Sequence, residues 1–450
     1  MRVSYRYTHF GFLRKHSSGL FVGALFVLLF FLPACSMGDR SSEDEGGIIH
    51  LTYWSSQNPQ ERTIAKLLVQ QWNLDNPGIQ VTVQPLPAGQ SSEEVLLASI
   101  VAKTTPDVCS NVWPGIVTEL VRANGLVSLD QFASFDSLMS SRIPSDLYTR
   151  FQSVDGHYYQ IPWKANPILF QYNVGLFREV GITSPPRTYS EFLDAAEKIY
   201  LDSDNDGHPE RWIGSRQIKP IWHQRRFDYY TFYLAASGGK TFDHDGNFEL
   251  DELVSDQVFS LFRELWENEY YPLTDLQGDP FDRGLIATKL VGPWNIARLR
   301  ENATPGLEYA FSPIPVPDDY SGPAFTYGDF KNIAIFATTK YPEEAWRFAS
   351  YLVSKEADLL LLEMATQIPI RSDILTDGFF ADYFVANPMV ADFAGLVPNS
   401  RGVGHLRAFP EIMDALAQQF EAASVFGVIS PQEGTQRAVS RIRAIENWNR

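Results

Sequence analysis

Several of the ten tryptophans stand where a flat ring could face a ligand. Trp54 follows the apolar Leu51-Thr52-Tyr53 and precedes the polar Ser55, Ser56 and Gln57. Asn111 and Trp113 follow Val108-Cys109, and Trp294 follows the Gly292-Pro293 break. Trp222 and His223 lie in an aromatic stretch just before Gly238-Gly239. Sugars present flat C–H faces and projecting hydroxyls, so indole plates beside hydrogen-bonding side chains suit them. Trp72, Trp266 and Trp346 fall inside helical periods instead, which marks them as core.

Two further groups of residues suggest other chemistry. Asp202-Ser203-Asp204-Asn205-Asp206-Gly207-His208 carries the oxygen ligands and glycine of the first half of a calcium loop. The twelfth position of such a loop is Ile213 and Glu210 is at the ninth, so any structural Ca2+ held by Asp202, Asp204 and Asp206 needs another carboxylate from elsewhere. Beyond that ion no cofactor is required. The doublets Tyr158-Tyr159, Tyr229-Tyr230 and Tyr270-Tyr271 could bind ferric ion as phenolates, which is one alternative function. Glycoside hydrolysis is another, but it needs two carboxylates facing one bond, and no acidic pair stands in such a pattern. No catalytic residue is assigned.

These residues belong to a chain that begins with an export segment. Arg2, Arg6, Arg14 and Lys15 precede the uncharged apolar run at residues 20–32 (LFVGALFVLLFFL), then Leu32-Pro33-Ala34-Cys35. The run is shorter than the roughly twenty residues a membrane-spanning helix needs. A short apolar run, a small residue and then Cys resembles the bacterial lipoprotein signal. The resemblance implies cleavage after residue 34 and acylation of Cys35, so the mature protein is held at a bacterial membrane, outside the cytoplasm. Residues 35–47 are polar and aperiodic and read as a flexible tether. Cys109 is then left without a partner, and its apolar setting suggests a buried small hydrophobe. The net charge of −17 and the absence of a basic, aromatic-interleaved stripe exclude nucleic acid as a natural ligand.

The remaining chain is long enough for two cores. Residues 48–53 and 79–83 alternate as strands, and 105–109 is a short third one. Helical periods lie at 58–76, from Ser91, around 116–124, at 190–200, 251–266, 342–352, 355–363, and from Pro410 and Pro431. Strands alternating with helices predict an α/β fold with a mostly parallel sheet.

The order of short signatures resembles the extracellular solute-binding proteins of sugar-type ABC importers, the maltose-binding-like group. These signatures include Leu51-Thr52-Tyr53-Trp54, Asn76-Pro77-Gly78-Ile79, Pro106-Asp107-Val108, and Gly125-Leu126-Val127-Ser128-Leu129-Asp130. Asp155-Gly156-His157-Tyr158-Tyr159-Gln160-Ile161-Pro162, Tyr172-Asn173, Pro185-Pro186-Arg187-Thr188-Tyr189, Gly292-Pro293-Trp294, Pro313-Ile314-Pro315 and Ile368-Pro369-Ile370-Arg371 follow. The resemblance implies a two-lobed periplasmic-binding-protein-like fold with mixed sheets and a ligand cleft between the lobes. It places 48–162 plus 327–352 in one lobe and 163–326 plus 353–450 in the other, with crossings near Trp163, Tyr327 and Leu352. It adds Trp163, Lys164, Tyr327, Asp329 and Arg371 to the cleft and gives Trp294 the family's stacking role. It also implies a monomer that catches a carbohydrate or sugar-like solute and hands it to ABC permease subunits, or presents it to a membrane receptor.

Overall fold

The computed structural model describes residues 47–450 apart from 89–90, 144–148, 205, 208, 245, 405 and 450. The leader, Cys35 and all but the last residue of the tether lie outside the described residues. Among those described, no helix is long and apolar enough to cross a membrane.

In chain order the strands are β1 (Ile49–Ser55), β2 (Ile79–Pro85), β3 (Val108–Val112), β4 (Ile161–Lys164), β5 (Leu169–Asn173) and β6 (Asp243–His244). They continue with β7 (Asn247–Phe248), β8 (Thr288–Val291), β9 (Tyr309–Ser312), β10 (Thr326–Tyr327), β11 (Lys331–Ile335) and β12 (Ser400–Arg401). One sheet has the order β2-β1-β3-β11-β4 and a second the order β8-β5-β9. In the first, β1 runs parallel to β2 and β3, as helical crossovers require. β11 alone runs against its neighbours, because it arrives from the second sheet's side rather than through a helix packed on the first. The sheet is therefore mixed.

Local chemistry sets the crossovers. Asn58 caps helix Pro59–Asp75 by accepting from the N–H groups of Gln60 and Glu61, and Pro59 takes the first helical position, where its missing N–H does no harm. Its buried Ile64, Leu68 and Trp72 lie on the stripe that meets the sheet. Ser91 caps helix Ser92–Ala102 and Thr188 caps helix Tyr189–Ile199 in the same way. Asp107 accepts from both the N–H and the hydroxyl of Thr52, at 2.7 and 2.8 Å, locking the start of β3 to β1.

Two apolar clusters organise the molecule. One gathers Leu51 and Tyr53 of β1, the inner face of helix Pro59–Asp75, and Trp72 and Trp346. It also takes Leu352, Leu361, Phe380 and Phe393, and this corrects the expected division of the chain. Residues from 353 to 397 do not pass to the other lobe. Helix Lys355–Ala365 turns its apolar side toward the cluster of helix Pro59–Asp75. The chain returns only at β12, which pairs with β10. The third crossing thus lies near Ser400, not Leu352. The other cluster holds the second sheet and Trp266, and reaches Cys109 and Trp113 at the end of β3. Cys109 is 1% exposed, and burial pushes its thiol pKa well up, as an inert core residue requires.

Candidate functional site

The site is built first from a defect in β3. Asn332 of β11 faces Val112 and Ala334 faces Cys109, so β3 carries an extra residue at Ser110-Asn111. Asn111 takes φ 66°, a conformation asparagine tolerates better than most residues. The bulge ends the ladder and delivers Trp113. Its ring folds back over the following turn, so closely that a Cβ on Gly115 would lie 2.2 Å from it. The same device acts in the other lobe, where a Cβ on Gly292 would lie 2.1 Å from the Trp294 ring. Each glycine is what lets the indole stand over its own backbone.

Trp113 spans the junction between the lobes. Its ring centroid lies 5.8 Å from that of Trp222 and 5.4 Å from that of Phe409, both from the second lobe. The Arg226 guanidinium sits 4.3 Å from the Trp113 ring and 5.1 Å from the Trp222 ring. Arg226 Nη1 donates to the Tyr327 hydroxyl at 3.4 Å, which donates to Asp329 Oδ1 at 3.3 Å. Asp329 pairs with Lys331 at 3.2 Å. Lys331 stands opposite Lys164 in the ladder, and Lys164 pairs with Glu61 at 2.7 Å. Phe227 continues the aromatic line, with centroids 5.6 Å from Tyr327 and 6.4 Å from Trp294.

Burial sets the electrostatics. It pushes the Tyr327 hydroxyl pKa up, against the lowering influence of Arg226 and Trp113. It lowers the Lys164 ammonium pKa, more than Glu61 raises it. His223, stacked edge-on to Trp222, is lowered by burial and then by Arg226.

Two cavities open beside this line of rings. A space of about 970 Å³ lies between Pro114, Phe151 and Phe330 on one side and Tyr233, Lys240 and Gly402 on the other. A second, of about 480 Å³, is lined by Arg216, Gln224, Phe227 and Trp294. The larger is in the size range of small-molecule sites.

Of the residues singled out from sequence, Trp113, Trp222, Trp294, Tyr327 and Asp329 form one linked set, with Asn111 in the bulge beside them. Lys164 joins through Lys331, and Trp163 lies under the Lys164 ammonium at 4.4 Å. Trp54 is 5% exposed in the apolar cluster with Leu96 and Cys109, and no ring contact links it to the junction among the described residues. Arg371 is elsewhere too. It donates to Asp358 at 3.0 Å, which also binds Arg142 at 2.6 Å, deep in the first lobe. Its guanidinium is committed to that ion triad, which corrects its expected place in the cleft.

The tyrosine doublets do not make an iron site. The Tyr229 hydroxyl donates to Ser255 and that of Tyr230 to the Gly402 carbonyl, at 2.8 and 2.7 Å, and burial raises both pKa values. Tyr271 is buried and the Tyr159 hydroxyl is spent on Asp155. Carboxylate oxygens of Asp202, Asp204 and Asp206 lie within 4.8 Å of one another, a spacing that fits a hard divalent cation. Glu210, also in that loop, instead accepts from the N–H and hydroxyl of Ser203.

Arg226, Phe227, Lys331, Glu61 and Phe409 were not singled out from sequence. For Arg226 a signal existed, since the basic doublet Arg225-Arg226 follows Trp222-His223 after a single residue, Gln224. Phe409 gave none.

The profile of the bacterial extracellular solute-binding proteins matches residues 68–387. A putative binding protein of Brucella abortus is 23% identical over 428 residues, covering 91% of this chain and 93% of its own. The maltotriose-binding protein of Pyrococcus abyssi is 24% identical over 349 residues, 75% of this chain and 70% of that one. An uncharacterized protein of Listeria monocytogenes superposes with a TM-score of 0.75 at 25% identity, covering 89% of this chain and 99% of the other.

Proposed function

The chain belongs to the bacterial extracellular solute-binding protein family, whose members are binding proteins and not enzymes, and from that premise we propose that it captures a carbohydrate for an ABC importer. The observation that carries this reading is the meeting of Trp113 and Trp222 from opposite lobes, with a cavity of about 970 Å³ reaching Pro114, the residue after Trp113. Indole plates from both sides give a ligand differential contacts with the closed state, which is what drives lobe closure. The likeness to a maltotriose-binding protein supports a saccharide of that kind.

A lipid on Cys35 keeps the protein near its permease, and the tether lets it reorient while raising its effective concentration there. In this reading Cys35→Ser releases the protein from the membrane and leaves ligand affinity unchanged. The loop at Asp202, Asp204 and Asp206 holds calcium and steadies the second lobe, with no part in ligand capture.

A thermal-shift screen of the lipid-free domain against malto-oligosaccharides, monosaccharides and polyols tests the function. A true ligand raises the melting temperature with concentration. No shift with any carbohydrate would overturn the reading.

A further inference from the structure

Among the described residues, the buried cations have carboxylate partners, with one exception. Arg142 and Arg371 share Asp358, Lys164 has Glu61, Arg211 has Glu179 and Arg225 has Asp228, all within 3.2 Å. Arg226 is 6% exposed, yet among the described residues no carboxylate lies within ion-pairing distance of it. Its bonds to the Tyr327 hydroxyl and the His223 carbonyl are both long, at 3.4 Å. Its Nη2 makes no hydrogen bond among the described residues. An arginine cannot shed its proton to escape burial, and a buried charge normally requires a counter-charge.

The surroundings hold the guanidinium in place without neutralising it. Trp113 and Trp222 face it at 4.3 and 5.1 Å, and the Arg226 carbonyl accepts from Thr231 Oγ1 at 2.7 Å. Asp329 is reached only through Tyr327 and is already paired with Lys331. Glu93, on the opposite lobe, acts electrostatically on His223 and hydrogen-bonds Ser92. Arg226 itself lines neither cavity, but its neighbours in chain and space do. Gln224 and Phe227, on either side of it in the chain, line the smaller, and Pro114, next to Trp113, lines the larger.

We propose that Arg226 is a specificity-determining residue that binds an oxyanion of the ligand, a carboxylate or phosphate borne on a sugar or polyol. The inference rests on the binding-protein reading above and narrows its ligand class. A planar guanidinium held against two neighbouring indole rings matches an oxyanion better than a lone hydroxyl. Lobe opening separates Trp113 from Trp222 and Arg226, and an anionic group entering there supplies the missing counter-charge as the lobes close.

Calorimetric titration with matched pairs tests this: glucose with glucose 6-phosphate, glucose with glucuronate, and glycerol with glycerol 3-phosphate. The phosphate and carboxylate arms identify which oxyanion is read. At least one anionic member should bind more tightly than its neutral counterpart. Arg226→Gln should weaken that anionic member on the order of 30-fold or more, and by a clearly larger factor than it weakens the neutral counterpart, and Arg226→Lys should keep part of the preference. A circular-dichroism melt confirms that each variant folds, and Arg226→Lys carries the test if the glutamine variant does not. Neutral members binding as well as or better than anionic ones overturns the oxyanion assignment and leaves carbohydrate capture standing. An anion preference that survives Arg226→Gln overturns the role of this residue. No shift or heat from any saccharide, charged or neutral, overturns both.

Discussion

Arg371 and Arg226 are similarly buried, at 7% and 6% exposure, but they keep different company. Arg371 shares Asp358 with Arg142 inside the first lobe, where burial pushes the carboxyl pKa up more than the two guanidiniums hold it down. Arg226 lies against rings from two lobes, and among the described residues no carboxylate is at ion-pair distance from it. The first site is closed upon itself and has nothing to offer a ligand. The second is incomplete within the protein and lies where the molecule can open. Among buried charges, an unfilled valence at a movable junction is a better sign of function than charge or burial alone.

Breaking the triad should have the largest effect. Asp358→Ala leaves buried Arg142 without a carboxylate and Arg371 with only Asp373, at 3.4 Å, and should cost about 3–5 kcal/mol, read by urea denaturation, while the folded fraction binds ligand as before. A loss of affinity equal to the loss of stability would erase the contrast between the sites. Trp113→Ala should act in the opposite sense on binding. Removing the ring that spans the lobes should weaken ligand by about 2 kcal/mol or more, measured by calorimetry, and its buried position means stability falls too. Calcium at the 202–206 loop should raise the melting temperature by a few degrees at most, with the increment lost in Asp204→Ala and ligand affinity unmoved.

The smallest effect concerns pH. The folded-state pKa of His223 is lowered by burial and by Arg226, so the folded protein binds its proton less readily than the unfolded chain does. Its contribution to stability is present above the ordinary histidine value and is lost as pH falls through the depressed folded value. Denaturation midpoints between about pH 7.5 and 5 should fall less in Arg226→Gln than in the parent, because one cause of the depression is gone. An identical pH slope in both would remove the electrostatic link between these residues.

How much of this was legible in the sequence depended on what each feature needs. Strand ends and glycine breaks mark where a ring can turn away from its own strand, so Trp113 and Trp294 could be picked out from Asn111-Val112-Trp113 and Gly292-Pro293-Trp294 alone. Trp54 has similar flanks, but it is buried in the cluster that also takes Leu96 and Cys109, and burial by later elements leaves no mark on β1. Helix Lys355–Ala365 shows in its sequence which side is apolar, but not which sheet that side will meet. Arg371 was found by motif order, which gives position along the chain and not the direction of a side chain. Arg226 depends on two rings that are distant from each other in sequence, and only folding brings Trp113 to Trp222.

The central claim is that ligand is held where Trp113 and Trp222 meet across the lobes. Calorimetric titration of the saccharide giving the largest thermal shift, into wild type, Trp222→Ala and Trp448→Ala, tests it most directly. Trp448 is 90% exposed on the last helix and serves as the control. The account predicts a loss of about tenfold or more in affinity for Trp222→Ala and none for Trp448→Ala. Equal affinity in all three proteins would contradict it.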